Sequence, residues 1–369
     1  MKVKVNGLSM KLLTLFFVFF IFNAFNAYAA DREVVDMAGR KVKIPENVTR
    51  VACMQGPTYE MVFALGGKDQ ISLVREDHKS AYPLALKTNP DLKKIPSLSG
   101  VGPQSPVNIE EFIKQDPDVV IYWNIPPELK KFDTAGIAAV VVNWSSAEPK
   151  NVQESLLDQK QKLHFLAEVL GKKALERYQK WSDYFDKTTD FIQSRLAGVP
   201  KSDYPSVYIG NSWGANILST WGAFSTNPYI VELCGGRFVG VKGPGMFPEV
   251  TREQLLGWAP DFLIVDNHGR DPEKVIQDLN TSPEWASLPA VKNHRVYRIP
   301  SGVFFLDKGT SSPVFFKWLA QKLHPTRFQD VNIIEDLKNY FKTFYDYDLS
   351  TKEAEEAISG WVNEEAYKN

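Results

Sequence analysis

The chain has 369 residues, of which 44% are hydrophobic, 12% aromatic and 24% charged. This length suits two or three domains, and the composition is that of a globular protein, which excludes a wholly disordered chain and a multi-pass membrane protein. The 43 basic and 44 acidic residues balance, so no basic surplus indicates binding to a nucleic acid.

The N-terminal segment, residues 1–29, has the pattern of a secretory signal peptide. It begins with lysines, continues with a strongly apolar run at residues 12–22, and ends with the small-residue cleavage pattern Ala27-Tyr28-Ala29. An uncleaved membrane anchor is the alternative, but the run is shorter than the ~20 residues that a membrane-spanning helix needs. We therefore expect an exported, periplasmic protein from which residues 1–29 are removed.

The mature chain contains two cysteines, Cys53 in a strand-like run and Cys234 at the end of a predicted helix. Export permits disulfide formation, so a bridge between them is one alternative. Their apolar surroundings favour two buried free thiols, which is the interpretation adopted here.

An internal repeat relates residues 108–122 to residues 251–265 at a constant offset of 143 residues. Each copy predicts a short helix, a Pro-Asp turn and a buried strand, with Asn108 and Thr251 as the helix caps. Two glycine-ended helices, at residues 59–67 and 229–236, extend the symmetry. Because strands and helices alternate in both halves, we predict an α/β fold with two similar Rossmann-like lobes built on parallel sheets.

A helical stretch separates the two lobes. Residues 173–195 carry apolar side chains at helical spacing and would span ~35 Å as one stiff helix. The last segment is rich in charge and is predicted to form two helices on the exterior of a lobe, so ligand binding should not need it. The predicted parts after the signal peptide are the N-terminal lobe (30–170), the linking helix (171–200), the C-terminal lobe (201–325) and a helical C-terminal extension (326–369).

Several segments together resemble the periplasmic binding proteins of importers for iron-siderophores, haem and cobalamin. The resemblance covers roughly residues 35–325 and implies two lobes joined by one long helix, with the ligand in the cleft between them. It also implies delivery of the ligand to an ATP-driven permease dimer in the inner membrane. The segments that carry it are 35–45, 60–66, 108–110, 117–121, 250–255 and 290–297.

The family resemblance makes a bulky metal chelate the expected ligand, with an iron-siderophore as the first choice. Cobalamin or another corrinoid, haem and a nickel chelate remain open, and a free metal ion is less favoured. We expect a monomer without a cofactor of its own.

The glutamates Glu110 and Glu253 occupy equivalent places in the first turn of the repeated helices. A carboxylate there interacts favourably with the helix dipole, which is the simpler explanation of each residue alone. In the resembled family, acids at these positions meet arginines of the two permease subunits, and this symmetry favours the docking role.

Ligands of parallel α/β proteins bind beyond the carboxyl ends of the strands, which places the cleft loops. Tryptophans in such loops offer flat faces to a bulky, partly apolar ligand, although half-buried packing is the alternative for each. His78 and His268, one in each lobe, are candidate metal ligands or hydrogen-bond donors. The predicted ligand-binding residues are Gln55, His78, Trp123, Trp144, Trp213, Trp221, Phe247, His268, Phe304 and Lys308.

Catalysis is not indicated by the motifs. The sequence lacks the phosphate-binding Walker loop and the dinucleotide GxGxxG pattern. A bare zinc site needs three or four ligands, and His78 and His268 have no evident third partner. We therefore expect neither an enzyme nor a resident metal site.

Overall fold

The computed structural model describes residues 31–142, 149–211, 217–221, 226–240, 248–266 and 272–360. These residues form strands and helices in alternation, with three short 3₁₀ helices at Lys68–Gln70, Pro90–Lys94 and Lys201–Asp203. The strands are β1 (Asp31–Val35), β2 (Lys41–Pro45), β3 (Val51–Cys53), β4 (Ile71–Arg75), β5 (Ser97–Leu98), β6 (Val119–Tyr122), β7 (Ala139–Val141), β8 (Ser206–Asn211), β9 (Ser219–Thr220), β10 (Arg237–Phe238), β11 (Phe262–Asp266) and β12 (Val296–Arg298).

The α-helices cover the sheets and connect the two halves. They are α1 (Thr58–Ala64), α2 (Glu76–Ser80), α3 (Pro83–Thr88), α4 (Ile109–Gln115), α5 (Pro126–Thr134), α6 (Val152–Leu170), α7 (Lys172–Leu196), α8 (Asn227–Leu233), α9 (Arg252–Trp258), α10 (Pro272–Thr281), α11 (Pro289–Lys292), α12 (Ser312–Leu323), α13 (Ile333–Tyr345) and α14 (Thr351–Ile358). In the described part of the chain, no helix is long and apolar enough to cross a membrane.

Two five-stranded sheets define two lobes, which confirms the predicted α/β fold. The N-terminal sheet has the order β5-β4-β3-β6-β7 and is parallel throughout. The C-terminal sheet has the order β10-β8-β11-β12, also parallel, with β9 added antiparallel to β8. The residues of β6 and β11 are all buried, as expected for parallel strands covered by helices on both faces.

The internal repeat folds as the same local structure in both lobes. Helices α4 and α9 each have seven residues, and the side chains of Asn108 and Thr251 accept hydrogen bonds from backbone N–H groups in their first turns. Both helices end at a residue in the left-handed region, Asp116 at φ 46° and Ala259 at φ 43°. The caps predicted from the sequence are therefore confirmed.

The Pro-Asp turn of each repeat ties the strand that follows to its neighbour. Asp118 Oδ2 accepts a hydrogen bond of 2.9 Å from the backbone N–H of Arg50, just before β3. Asp261 Oδ2 accepts one of 2.8 Å from the backbone N–H of Ser206, the first residue of β8. Each aspartate thus fixes the register between two central strands, which explains why Pro-Asp recurs in both copies.

Helices α6 and α7 pack against each other and connect the lobes. Helix α7 has 25 residues, which corresponds to a length of about 37 Å. Gly171 separates the two helices at φ 102°, a conformation that favours glycine. Cys53 and Cys234 are buried free thiols, as predicted, and burial raises the pKa of both.

The C-terminal extension forms helices as predicted, and their buried face packs against residues of both lobes, a contact that the predicted position on the exterior of one lobe did not include. Leu337 and Phe341 of α13 are fully buried in a hydrophobic cluster that includes residues of both lobes. The ring of Tyr345 stacks on that of Phe63 from α1, with 5.2 Å between the centroids. Apolar residues of α13 recur at helical spacing, and the face they form completes the core instead of covering it.

Candidate ligand-binding site

The N-terminal lobe contributes one wall of the predicted cleft at the carboxyl ends of β4 and β6. Arg75 ends β4, and its guanidinium carbon lies 5.7 Å from the ring centroid of Trp123, which follows β6. The same guanidinium forms an ion pair of 2.7 Å with Asp77. Arg75 therefore joins an aromatic face and a carboxylate, and its positive charge is already compensated.

His78 follows Asp77 in α2, and its side chain is not exposed to the predicted cleft as a ligand-binding group. Its side chain is buried, and Nε2 donates a hydrogen bond of 3.0 Å to the carbonyl of Gly56. Burial lowers the pKa of His78 to about 4, so the ring is neutral at pH 7. In this arrangement His78 holds the loop after β3. Among the described residues, no group of three His, Cys, Asp or Glu side chains is placed to hold a metal ion.

The C-terminal lobe contributes a second wall, built on the end of β11. The indole N–H of Trp221 donates a hydrogen bond of 2.6 Å to Asp266 Oδ2. The ammonium nitrogen of Lys308 lies 3.8 Å from the Trp221 ring centroid, 3.4 Å from Asp266 and 2.7 Å from Asp307. Trp221 is itself only 7% exposed, so a buried indole, one cation and two buried carboxylates meet at this wall.

The charge of Lys308 is retained by its two acidic neighbours. Its side chain is only 20% exposed, and this burial opposes the ammonium charge. The attraction of Asp266 and Asp307 outweighs burial, so the pKa of Lys308 is raised. The described part of this wall thus holds a cation that two neighbouring buried carboxylates keep charged.

Two other predicted ligand residues are buried. Gln55 follows β3 and is 7% exposed. Phe304 packs on Tyr82 of the opposite lobe, with 4.8 Å between ring centroids. Phe304 therefore belongs to the apolar contact between the lobes, and its contact with a ligand stays a prediction. Trp144, Trp213, Phe247 and His268 lie outside the described residues.

Glu60 is the residue that sequence reasoning missed. It lies in the glycine-ended helix α1, is fully buried, and accepts hydrogen bonds from Thr310 and Tyr345. Burial raises its pKa to about 7, although these hydrogen bonds act in the opposite direction. A single acid within the apolar segment 59–65 was the available signal, because a buried carboxyl needs partners.

Glu110 and Glu253 are both exposed at the starts of α4 and α9. Because each helix runs back along the strand that follows it, its N-terminus lies at the edge of the sheet that carries the cleft loops. The Glu253 side chain is 76% exposed, and Arg252 lies 3.6 Å away from it. One turn after Glu110, the apolar side chain of Ile113 is 57% exposed.

The fold and these walls define a two-lobed α/β binding protein. The model of the family described as periplasmic binding protein matches residues 51–303, more than half of the chain. The chain belongs to this family.

Relatives within the family bind different solutes. The molybdate-binding protein MolA of Haemophilus influenzae is 26% identical over 354 residues, which cover 91% of this chain and 97% of MolA. The vitamin B12-binding protein of Vibrio campbellii is 24% identical over 260 residues, which cover 68% of this chain and 81% of that protein. The solved structure of MolA bound to molybdate has a TM-score of 0.74 at 22% identity, covering 87% of this chain and 99% of that one.

Proposed function

We propose that this protein captures a bulky metal chelate, an iron-siderophore in the first instance, and delivers it to an inner-membrane permease. Cobalamin or another corrinoid is the nearest alternative, and the vitamin B12-binding relative supports that range of ligands. Haem and a nickel chelate remain further options. Residues 1–29 are proposed to act as a cleaved signal peptide, and the mature protein is proposed to bind without catalysis, as a monomer.

The observation that carries this proposal is the pairing of an aromatic face with an already compensated cation on both walls. Arg75 lies against Trp123 and is neutralised by Asp77, and Lys308 lies against Trp221 between Asp266 and Asp307. Trp123 is half-buried and Trp221 is 7% exposed, so these walls present limited aromatic area and little free positive charge. They suit a large, partly apolar ligand of modest net charge.

A molybdate-like oxyanion is the second candidate, because one specific observation favours it. Similarity to MolA extends over 91% of the chain, and thus into the C-terminal extension. A compact dianion needs several free hydrogen-bond donors or uncompensated cations. In the described walls Arg75 and Lys308 are both bound to carboxylates, which favours the chelate over the oxyanion.

Purification from the native periplasm tests the ligand class without guessing the compound. The protein is isolated without added ligand, and its visible absorption and elemental content are measured. We expect a bound transition metal, carried in an organic ligand that mass spectrometry detects after denaturation. Stoichiometric molybdenum without an organic ligand would contradict the chelate and support the oxyanion.

Glu110 and Glu253 are proposed to dock the two lobes on the two permease subunits. Both are exposed at the cleft edge, and Ile113, on the same helix face as Glu110, adds an exposed apolar contact. Hydrogen bonds from its own backbone N–H and from Thr251 lower the pKa of Glu253, so it is ionised at pH 7. Ion pairs across such an interface chiefly set orientation and encounter, and they weaken with salt.

Charge reversal tests this docking role. Glu110→Lys combined with Glu253→Lys should leave solute affinity nearly unchanged and reduce uptake in cells, and each single reversal should reduce it partly. Glu111→Lys is the matched control, because it makes the same change one residue along α4. Full uptake by the double variant, or an equal loss in the control, would refute the docking assignment.

A further inference from the structure

The loop between β12 and α12 is held by the opposite lobe through Thr310. The backbone N–H of Thr310 donates a hydrogen bond of 3.0 Å to Glu60 Oε2, and its hydroxyl donates to Glu60 Oε1. The carbonyl of Thr310 accepts a hydrogen bond of 2.7 Å from the indole of Trp181 on the linking helix α7. Every polar group of this one loop residue is therefore engaged by distant parts of the chain.

The C-terminal extension supplies the remaining partners. Tyr340 donates a hydrogen bond of 2.5 Å to the Thr310 hydroxyl, and Tyr345 donates to Glu60 Oε1. We name this set of five residues, Glu60, Trp181, Thr310, Tyr340 and Tyr345, the Glu60 hub. None of the five is more than 3% exposed. The hub joins the N-terminal lobe, the linking helix, the C-terminal lobe and the extension at one point.

The hub lies two residues from the cation of the ligand wall. Gly309, the residue between Lys308 and Thr310, has φ +90°, and a Cβ atom added to it would lie 2.3 Å from Glu60 Oε2. The backbone therefore passes directly over the Glu60 carboxyl, where only glycine fits. Because Glu60 holds Thr310 by hydrogen bonds and contacts Gly309, we expect it to set the direction in which the Lys308 side chain projects from the loop.

We propose that Glu60, with Tyr340 and Tyr345 of the extension, is a positioning residue for the ligand wall that contains Lys308. It holds the loop 307–310 so that the Lys308 ammonium lies over Trp221 and between Asp266 and Asp307. That Lys308 faces a ligand rests on the proposed function. The arrangement makes the extension part of the binding apparatus, although it lies outside both repeats.

Chemical acylation of lysines in the ligand-free protein tests this positioning. The rate at which acetic anhydride modifies Lys308 is measured by mass spectrometry and divided by the rate at Lys162, which is also ion-paired and is 16% exposed. Thr310→Val keeps the shape of the side chain and removes the hydroxyl. Tyr345→Phe removes one donor to Glu60 and keeps the ring. Tyr59→Phe is the matched control, because it removes a buried hydrogen bond from the same helix that does not involve the loop.

We expect the Lys308 to Lys162 ratio to rise about fivefold in Tyr345→Phe, the factor that one lost hydrogen bond typically gives, and to rise more in Thr310→Val, which removes the two hydrogen bonds of the hydroxyl. Tyr59→Phe should leave the ratio at the wild-type value even if it lowers stability. Wild-type ratios in both loop variants, or an equal rise in the control, would overturn the proposal.

Hydrogen exchange on the wild-type protein provides a second test of the proposal that does not depend on how a variant folds. The proposal requires the amide of Thr310 to exchange as slowly as amides of the central strands, since it is bonded to a buried carboxyl. Exchange at the rate of an exposed loop would overturn it. Because no solute is used, failure here leaves the proposed ligand class untouched, and failure to bind a chelate leaves the positioning result valid.

Discussion

Glu60 and His78 should give the free energy of unfolding opposite dependences on pH. Burial raises the Glu60 pKa from its ordinary 4.5 to about 7, so its protonated form stabilises the fold below pH 4.5 and this contribution is lost as pH rises through about 7. Burial lowers the His78 pKa from 6.5 to about 4, so its stabilising contribution is present above pH 6.5 and is lost as pH falls through about 4.

The two contributions are similar in size. Each gap between the folded and unfolded pKa values corresponds to roughly 3 kcal/mol. Between pH 4.5 and 6.5 the pH dependences of the two contributions therefore have opposite signs and nearly cancel in the wild-type protein. Glu60→Gln removes one of them, so the free energy of unfolding of this variant should rise by roughly 2–3 kcal/mol over that range.

Urea unfolding at a series of pH values, followed by tryptophan fluorescence, measures this dependence. His78→Gln is the reciprocal variant, and its free energy of unfolding should fall as pH rises from 4.5 to about 7. Other titrating groups contribute equally to all three proteins, so the quantity to compare is the difference between their curves of unfolding free energy against pH. Parallel curves for wild type and Glu60→Gln would refute the reasoning.

Three further predictions concern packing and motion. Gly309→Ala should lower the free energy of unfolding by roughly 2–4 kcal/mol, because the added Cβ would collide with Glu60. Gly257→Ala on α9 is the control and should not lower it, because no atom lies within 4 Å of the added Cβ. Equal urea midpoints for the two variants would contradict this. Removing residues 326–369 should abolish cooperative unfolding, because Leu337 and Phe341 leave the core, and a truncated protein with the wild-type midpoint would show the extension to be dispensable. Crystal structures with and without solute should differ by only a small rotation of the lobes about α7, and a large closure would exclude this.

The repeated units were predictable because their signals are local. A cap residue, a Pro-Asp turn and an apolar run identify α4 with β6 and α9 with β11 without knowledge of the rest of the fold. The alternation of such units also predicts parallel sheets, and a parallel sheet places the cleft loops at one edge.

The Glu60 hub and the burial of the extension were not predictable in this way. The hydrogen bond from Thr310 to Glu60 joins residues 250 positions apart, and no residue near Glu60 in the sequence indicates its partner. The apolar face of α13 was visible as a periodic pattern, but its charged neighbours suggested a surface position. The contact of Phe304 with Tyr82 was likewise not predictable, because Tyr82 lies in the other lobe and is distant in the sequence.

The most direct test of the proposed function is a tryptophan-quenching titration of the purified, ligand-free protein. Ferric hydroxamate, cobalamin and sodium molybdate are titrated separately into the wild type, Trp123→Phe and Trp221→Phe. The account predicts saturable quenching by a metal chelate, with a smaller amplitude in both variants, because each replaces one wall indole, and thus one fluorophore, by a smaller phenyl ring. Saturable binding of molybdate with no response to either chelate would contradict it.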